Sequence, residues 1–206
     1  KPWLFLDIGN VVLDIDKKRA GALFTSLTEL SFEEFDWIFF GSGLLDDFNV
    51  GRISETAFVL RVQGDVRFRG ASLSDEQVQR VWTSILVPVD GTVEWLLEIE
   101  AQFEGVWVVS DINPIHWRAA RDWLLKTGLE RLKGATLSYE LGETKPATAV
   151  FDDALARSTA LAGDVLFVDD RALNVSGAQR AGIHGLQFAG ASQARKAAER
   201  WLKERR

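Results

Sequence analysis

Hydrophobic positions change period along this chain, and the change divides it. At the start, Trp3-Leu4-Phe5-Leu6 runs apolar without a break and meets a carboxylate at Asp7. A run of this kind reads as a strand buried on both faces, and the apolar pattern carries on to Val12. From residue 17 to 88 the pattern predicts helices alone: 18–30, with Ala22, Leu23, Leu27 and Leu30 at helical spacing, then 31–40, 55–62 and 74–85. Ser31-x-x-Glu34 and Ser74-x-x-Gln77 are capping boxes that open two of these helices. The polar stretch 64–72 is expected to be a loop, and Pro88 closes the block.

Beyond Pro88 strand and helix alternate. The short apolar runs 106–109, 135–139, 165–168 and 184–188 are predicted strands, and 93–103, 115–127, 146–161, 173–181 and 193–205 predicted helices. Such alternation means a parallel sheet with helices on both faces. The expectation is an α/β, Rossmann-like, doubly wound core made of residues 1–15 and 89–206, with a small all-helical cap inserted at 16–88. Both passages between them flank the end of the first strand, which sets the helical block over Asp7 as a lid.

In open α/β sheets ligands bind beyond the carboxyl ends of the strands. Three predicted strands end in polar groups there: Asp7, then Ser110-Asp111, then Asp169-Asp170. Lys145-Pro146 opens the helix before the third. Read singly, each has an ordinary explanation. Asp before Gly-Asn suits a turn, Ser after a strand caps a helix, paired Asp mark turns, and most Lys are solvated. Read together they make a site. Clustered carboxylates repel unless a hard cation relieves them, and magnesium takes a few carboxylates with water and phosphate oxygens. A carboxylate aimed at phosphorus is a nucleophile. Lysine neutralises the transferring group, and the Ser110 hydroxyl with backbone N–H groups offers phosphate donors.

Bulk properties narrow the function classes. The 206 residues carry a net charge of −6, against the basic face of a nucleic-acid binder. Charged residues are 26% and hydrophobic ones 47%, as in a soluble globular protein. The chain has no Cys, which excludes disulfides, thiolate nucleophiles and Cys-type zinc sites, and it has no Met. No apolar run reaches the ~20 residues of a membrane span, and no signal peptide is legible. The expectation is a cytoplasmic protein, monomer or homodimer, with no nucleic-acid or membrane partner. The two histidines, His116 and His184, lie too far apart for a metal pair; His116 is expected to be structural or cap-facing and His184 a buried core residue.

The ordered set Asp7-Ile8-Gly9-Asn10-Val11, Ser110, Lys145-Pro146 and Asp169-Asp170 with Asn174 resembles the haloacid dehalogenase-like (HAD) hydrolase superfamily over nearly the whole chain. Within it, the first motif is similar to the DxGNV branch that includes alpha-D-glucose-1-phosphate phosphatase. Asp14-Ile15-Asp16, Gly51-Arg52-Ile53-Ser54 and Asn113-Pro114-Ile115-His116 fit that placement. The resemblance implies a magnesium-dependent phosphatase of a small phosphorylated metabolite, such as a sugar phosphate, working through a phospho-aspartyl intermediate. Asp7 is then nucleophile and metal ligand, the Gly9 carbonyl a second ligand, Asp170 a direct ligand, and Asp169 a ligand or a support for its waters. Asn174 acts from behind them, while Ser110, Asp111 and Lys145 form the phosphate site.

Two departures stand out. The position two after the nucleophile, where most relatives have a general-acid Asp, is Gly9. Asp111 stands where relatives carry Asn, and an anion beside phosphate weakens binding unless its side chain turns away and only its N–H is used. A metal-independent 2-haloacid dehalogenase and a catalytically weak or inactive binding protein of the same fold are the alternatives.

Overall fold

The computed structural model describes residues 1–68 and 72–205. Five parallel strands form the main sheet: β1 (Trp3–Leu6), β4 (Val106–Ser110), β5 (Leu132–Leu137), β6 (Val165–Asp169) and β7 (His184–Gln187), in the order β5-β4-β1-β6-β7. The chain winds outward from β1 through β4 to β5, then crosses back to place β6 on β1's other side. The topological switch therefore lies beside β1, where ligands of open sheets bind. Leu6 is in register with Val108 on one side and Val168 on the other, so the polar tips of three strands lie nearly level.

Side-chain alternation builds two cores. Leu4 and Leu6, with Val106, Val108, Leu166 and Val168, face α6 (Thr92–Ile99), α7 (Pro114–Lys126) and α11 (Ala191–Glu204). Phe5, Trp107, Val109 and Phe167 face the opposite way, onto α9 (Thr148–Ser158) and α10 (Ala172–Arg180). Helices thus cover both faces, which is why these strands read as unbroken apolar runs.

The intervening block folds as helices α1 (Lys17–Thr28), α2 (Phe32–Asp36), α3 (Leu44–Asn49), α4 (Glu55–Gln63) and α5 (Asp75–Thr83), with a π-turn at Trp37–Gly41. It has its own aromatic core: Phe24, Phe35, Phe39, Phe58 and Trp82 are buried, with Phe39 stacked on Trp82 at 5.2 Å. Ile115 of α7 joins this core and ties it to the sheet domain. Both capping boxes are formed, Ser31 with Glu34 and Ser74 with Gln77. Of the expected loop at 64–72, residues 69–71 lie outside the described ones; Val66–Phe68 makes a 3₁₀ turn.

Three expectations need correction. First, the strand ends at Leu6 with Asp7 at its tip, as expected, but the apolar residues up to Val12 do not extend it. After Asp7 the chain folds back: the Ile8 carbonyl accepts from Val12 N at 2.9 Å and Leu13 N at 3.0 Å, and Asn10 adopts a left-handed φ of 55°. An Asp-x-Gly-Asn sequence favours such a tight loop over extension. Second, the inserted block is not purely helical. β2 (Leu13–Ile15) pairs antiparallel with β3 (Leu86–Pro88), joining the outgoing and returning passages as a ribbon. Three residues ending in Pro are too short to show a period, so β3 was invisible in the pattern. Third, His184 is exposed on the edge strand β7, its ring 5.7 Å from that of Trp201. Among the described residues no helix is long and apolar enough to cross a membrane.

Candidate active site

Asp7 follows β1 and donates its backbone N–H to the Val168 carbonyl at 3.0 Å, which locks it beside the tip of β6. Its Oδ1 accepts from Ile8 N at 2.8 Å and pairs with Lys145 Nζ at 2.9 Å. Lys145 is buried and sits between two carboxylates: Asp169 Oδ2 lies 2.7 Å from the same nitrogen. Its third contact is the Val109 carbonyl, at 3.0 Å. An ammonium has three donors, so all of them are engaged. The sequence alone assigned Lys145 to phosphate; here it also holds two strand tips together.

Asp169 is fully buried and equally committed. Its Oδ1 accepts from Arg171 N at 2.9 Å, and Asn174 Nδ2 lies 3.1 Å from each of its oxygens. Asp170 is half-buried, and its Oδ2 accepts from Asn10 Nδ2 at 3.1 Å. Asp7, Asp169 and Asp170 each offer an oxygen within 4.8 Å of the others. Three carboxylates faced by one ammonium leave excess negative charge in a desolvated place, which a divalent cation relieves. The buried Asn174 Oδ1 accepts no hydrogen bond among the described residues, an acceptor left over for bound water. The donor set is all oxygen, as a hard cation requires.

Electrostatics follow burial. Desolvation pushes the Asp7 carboxyl up to about 6; Lys145 opposes the rise, Asp169 adds to it, and the Ser110 hydroxyl lowers it slightly. Burial alone would lower Lys145, but Asp7, Asp169 and Asp111 outweigh it and hold the ammonium charged. Burial also raises Asp111, against the pull of Lys145. The Asp111 side chain is anchored: its Oδ1 accepts from the Lys145 backbone N–H at 2.9 Å. It braces the loop that delivers Lys145. Ser110 is buried at the end of β4. Gly9 follows Asp7 in the tight loop, and a Cβ placed on it would meet nothing within 4 Å.

A cavity of about 220 Å³ opens beside this cluster, bounded by Gly9, Ser110 and Asp111 at one end and by the helical block at the other. Pattern reading did not find its walls. Leu45 and Asn49 of α3 line it, whereas Asp46, Asp47 and Phe48 of the same helix do not. Asn113, His116 and Trp82 form a buried polar knot there. Asn113 Nδ2 reaches Asn49 Oδ1 at 3.1 Å and His116 Nδ1 at 3.3 Å, and His116 Nε2 donates to the Trp82 carbonyl at 3.0 Å. Asn113 was legible as the cap of α7, since Asn-Pro is a helix-start signal; nothing in the sequence pointed to Asn49. Burial lowers His116 to about 4, so it is neutral, and its role is to join the two layers.

A curated relative, the D-ribitol-5-phosphate phosphatase of Bacteroides thetaiotaomicron, is 26% identical over 192 residues, covering 89% of this chain and 90% of that protein. A HAD family enzyme from the same organism superposes with a TM-score of 0.73 at 23% identity, over 92% of this chain and 94% of that one. The chain has the fold of the HAD-family hydrolases. A HAD-like family hydrolase of Porphyromonas gingivalis also matches, with a TM-score of 0.72 at 20% identity over 98% and 97% of the two chains. The Bacteroides HAD enzyme has also been solved in complex with magnesium and inorganic phosphate, at a TM-score of 0.72 to this chain. No protein-family profile matches the sequence. The fold agrees with the sequence expectation, whereas the finer branch of alpha-D-glucose-1-phosphate phosphatase is not confirmed by these relatives.

Proposed function

We propose that this protein is a HAD-family, magnesium-dependent phosphatase that cleaves a small phosphorylated metabolite through a phospho-aspartyl intermediate. One observation carries the reading: Asp7, Asp169 and Asp170 converge within 4.8 Å at the switch point of the sheet, with buried Lys145 bridging two of them. The curated relative's own name, a phosphatase of a phosphorylated alditol, and the magnesium–phosphate complex of a neighbour support it.

The Asp7 and Asp170 carboxylates with the Gly9 carbonyl would hold magnesium, which would supply positive charge against the phosphoryl oxygens. Asp169, with both oxygens already engaged, serves by fixing Lys145 and Asn174. The protein's own chemistry is positional. Asp7 Oδ1 is held by Ile8 N and Lys145, which leaves Oδ2 to attack phosphorus. The new P–O bond to Asp7 forms as the ester P–O bond breaks. Ser110 and the adjacent backbone N–H groups receive the phosphoryl oxygens, and the Lys145 charge opposes the negative charge that builds there. Gly9 has no side chain to protonate the departing alkoxide, so water does so. A second water then displaces Asp7 from phosphorus, releasing inorganic phosphate and restoring the carboxylate. The domain division is part of the proposal: residues 1–15 and 89–206 carry this chemistry, and 16–88 cap the leaving-group side.

A metal-independent dehalogenase has no use for the paired Asp169 and Asp170, and the binding-protein alternative needs no ordered nucleophile. The deciding assay is hydrolysis of phenyl phosphate with magnesium, with EDTA, and with Asp7→Asn. Turnover is expected only for the unmodified protein with metal. Activity that persists in EDTA or in the variant would overturn the reading.

A further inference from the structure

The cavity beside the carboxylates constrains what leaves the phosphate. We propose that the leaving group is a compact apolar alcohol, alkyl or aryl, with at most one further hydrogen-bonding group, rather than a polyhydroxylated sugar or alditol. The inference rests on the phosphatase reading and gives it a substrate class.

The walls beyond the phosphate end are apolar: Leu13 and Ile15 from the ribbon, Phe40 and Leu45 from the helical block, and Ile85 and Leu86 beside them. Polar side chains do line the cavity, but they are spent on one another. Asn113 uses its amide nitrogen on Asn49 and His116, and its Oδ1 accepts from His116 N at 3.0 Å and from Trp82 Nε1 at 3.4 Å. His116 has its Nδ1 facing Asn113 and its Nε2 facing the Trp82 carbonyl, so neither nitrogen remains. The Asn49 carbonyl on the backbone is taken by Ser138 Oγ at 2.5 Å. What remains is the Asn49 side-chain nitrogen, for which no hydrogen bond is found among the described residues. Asp111, the charged side chain of the lining, lies at the phosphate end and is tied to Lys145 N.

A five-carbon alditol would bring four hydroxyls into this space and find about one partner. Selective polyol sites hold convergent side chains that pair each hydroxyl, and a hydroxyl buried without one loses its bonds to water. An alkyl chain of the same length loses nothing and buries its surface against Phe40, Leu45 and Ile85.

The test compares kcat/KM for n-pentyl phosphate and D-ribitol 5-phosphate, primary esters of equal chain length. The pentyl ester is expected to be favoured about tenfold or more; equal or better turnover of the ribitol ester would overturn the proposal. Leu45→Gln, at a half-buried wall position, is expected to raise KM for n-pentyl phosphate several-fold with kcat little changed, and an unchanged KM would count against it. If phenyl phosphate itself is not hydrolysed, the phosphatase reading fails separately. Calorimetry with magnesium present then decides the pocket: tighter binding of n-pentylphosphonate than of ribitol 5-phosphate supports the proposal, and the reverse order refutes it.

Discussion

In the proposed phosphatase, Gly9 is the single residue whose replacement is expected to change the rate most. A general acid contributes ~10²–10⁴-fold in phosphate and acyl chemistry alike, and this position has no side chain to supply one. The loop does not forbid one, because a Cβ at Gly9 meets nothing within 4 Å and its φ lies outside the left-handed region. Gly9→Asp is therefore expected to fold and to raise kcat on an alkyl phosphate by about 10²-fold, the low end of that range. The gain should shrink on an aryl phosphate, whose leaving group needs little protonation. Steady-state kinetics on the two esters checks both statements. At the same scale, Asp111 loses its threat to phosphate binding, since its Oδ1 braces the Lys145 backbone. Its residue type was legible in the sequence. The direction of its side chain depended on where a loop 34 residues away came to rest.

Elements were legible where they carry their own signals. The capping boxes at Ser31 and Ser74 satisfy helix-start N–H groups with residues three positions on, so they could be read directly. Ser74 opens α5, the helix that buries Val78, Val81 and Trp82 in the aromatic core and beside the cavity. Ser74→Ala is expected to cost about 1 kcal/mol, seen in thermal denaturation as a Tm lower by ~2–4 °C for a chain of this size. Elements without local signals were missed. The ribbon strand β3 exists because the two passages between sheet and helical block lie side by side, and Asp16 N donates to the Ile85 carbonyl at 2.7 Å to extend the pairing. No pattern within Leu86-Val87-Pro88 encodes that neighbour.

At the scale of the molecule, the question is how two layers stay registered across one cavity. Asn49 and Trp82 of the helical block meet Asn113 and His116 of α7 in a buried polar knot, and Arg118 of α7 pairs with Glu55 of α4 at 2.9 Å on the surface. The exposed pair adds little. The knot has a pH limit. Burial lowers His116 to about 4 in the fold, against 6.5 when unfolded. A depressed folded value means its stabilisation is complete above pH 6.5 and fades as pH falls towards 4, a difference on the order of 3 kcal/mol. Protonation would also turn Nδ1 into a donor facing the Asn113 amide. Urea unfolding between pH 7 and 4, at saturating magnesium, is expected to show this loss. His116→Gln should flatten the slope in that window.

The sequence by itself determined the alternation of the main-sheet strands with their helices along the chain, the parallel sheet, and the placing of Asp7, Ser110, Asp169 and Asp170 at strand ends. Those features rest on periodicity, caps and turn chemistry, all of which act over a few residues. Only the tertiary structure decided that Lys145 spends all three donors, that Asp169 has no free oxygen, that His184 is exposed, and that the polar groups lining the cavity satisfy one another. Lys145 depends on partners 24 to 138 residues away, and even Asp169 and His116, which have partners within five residues, are completed only by distant ones, Lys145 and Trp82. Hydrogen-bond saturation belongs to the assembled site, and no local stretch of chain carries it.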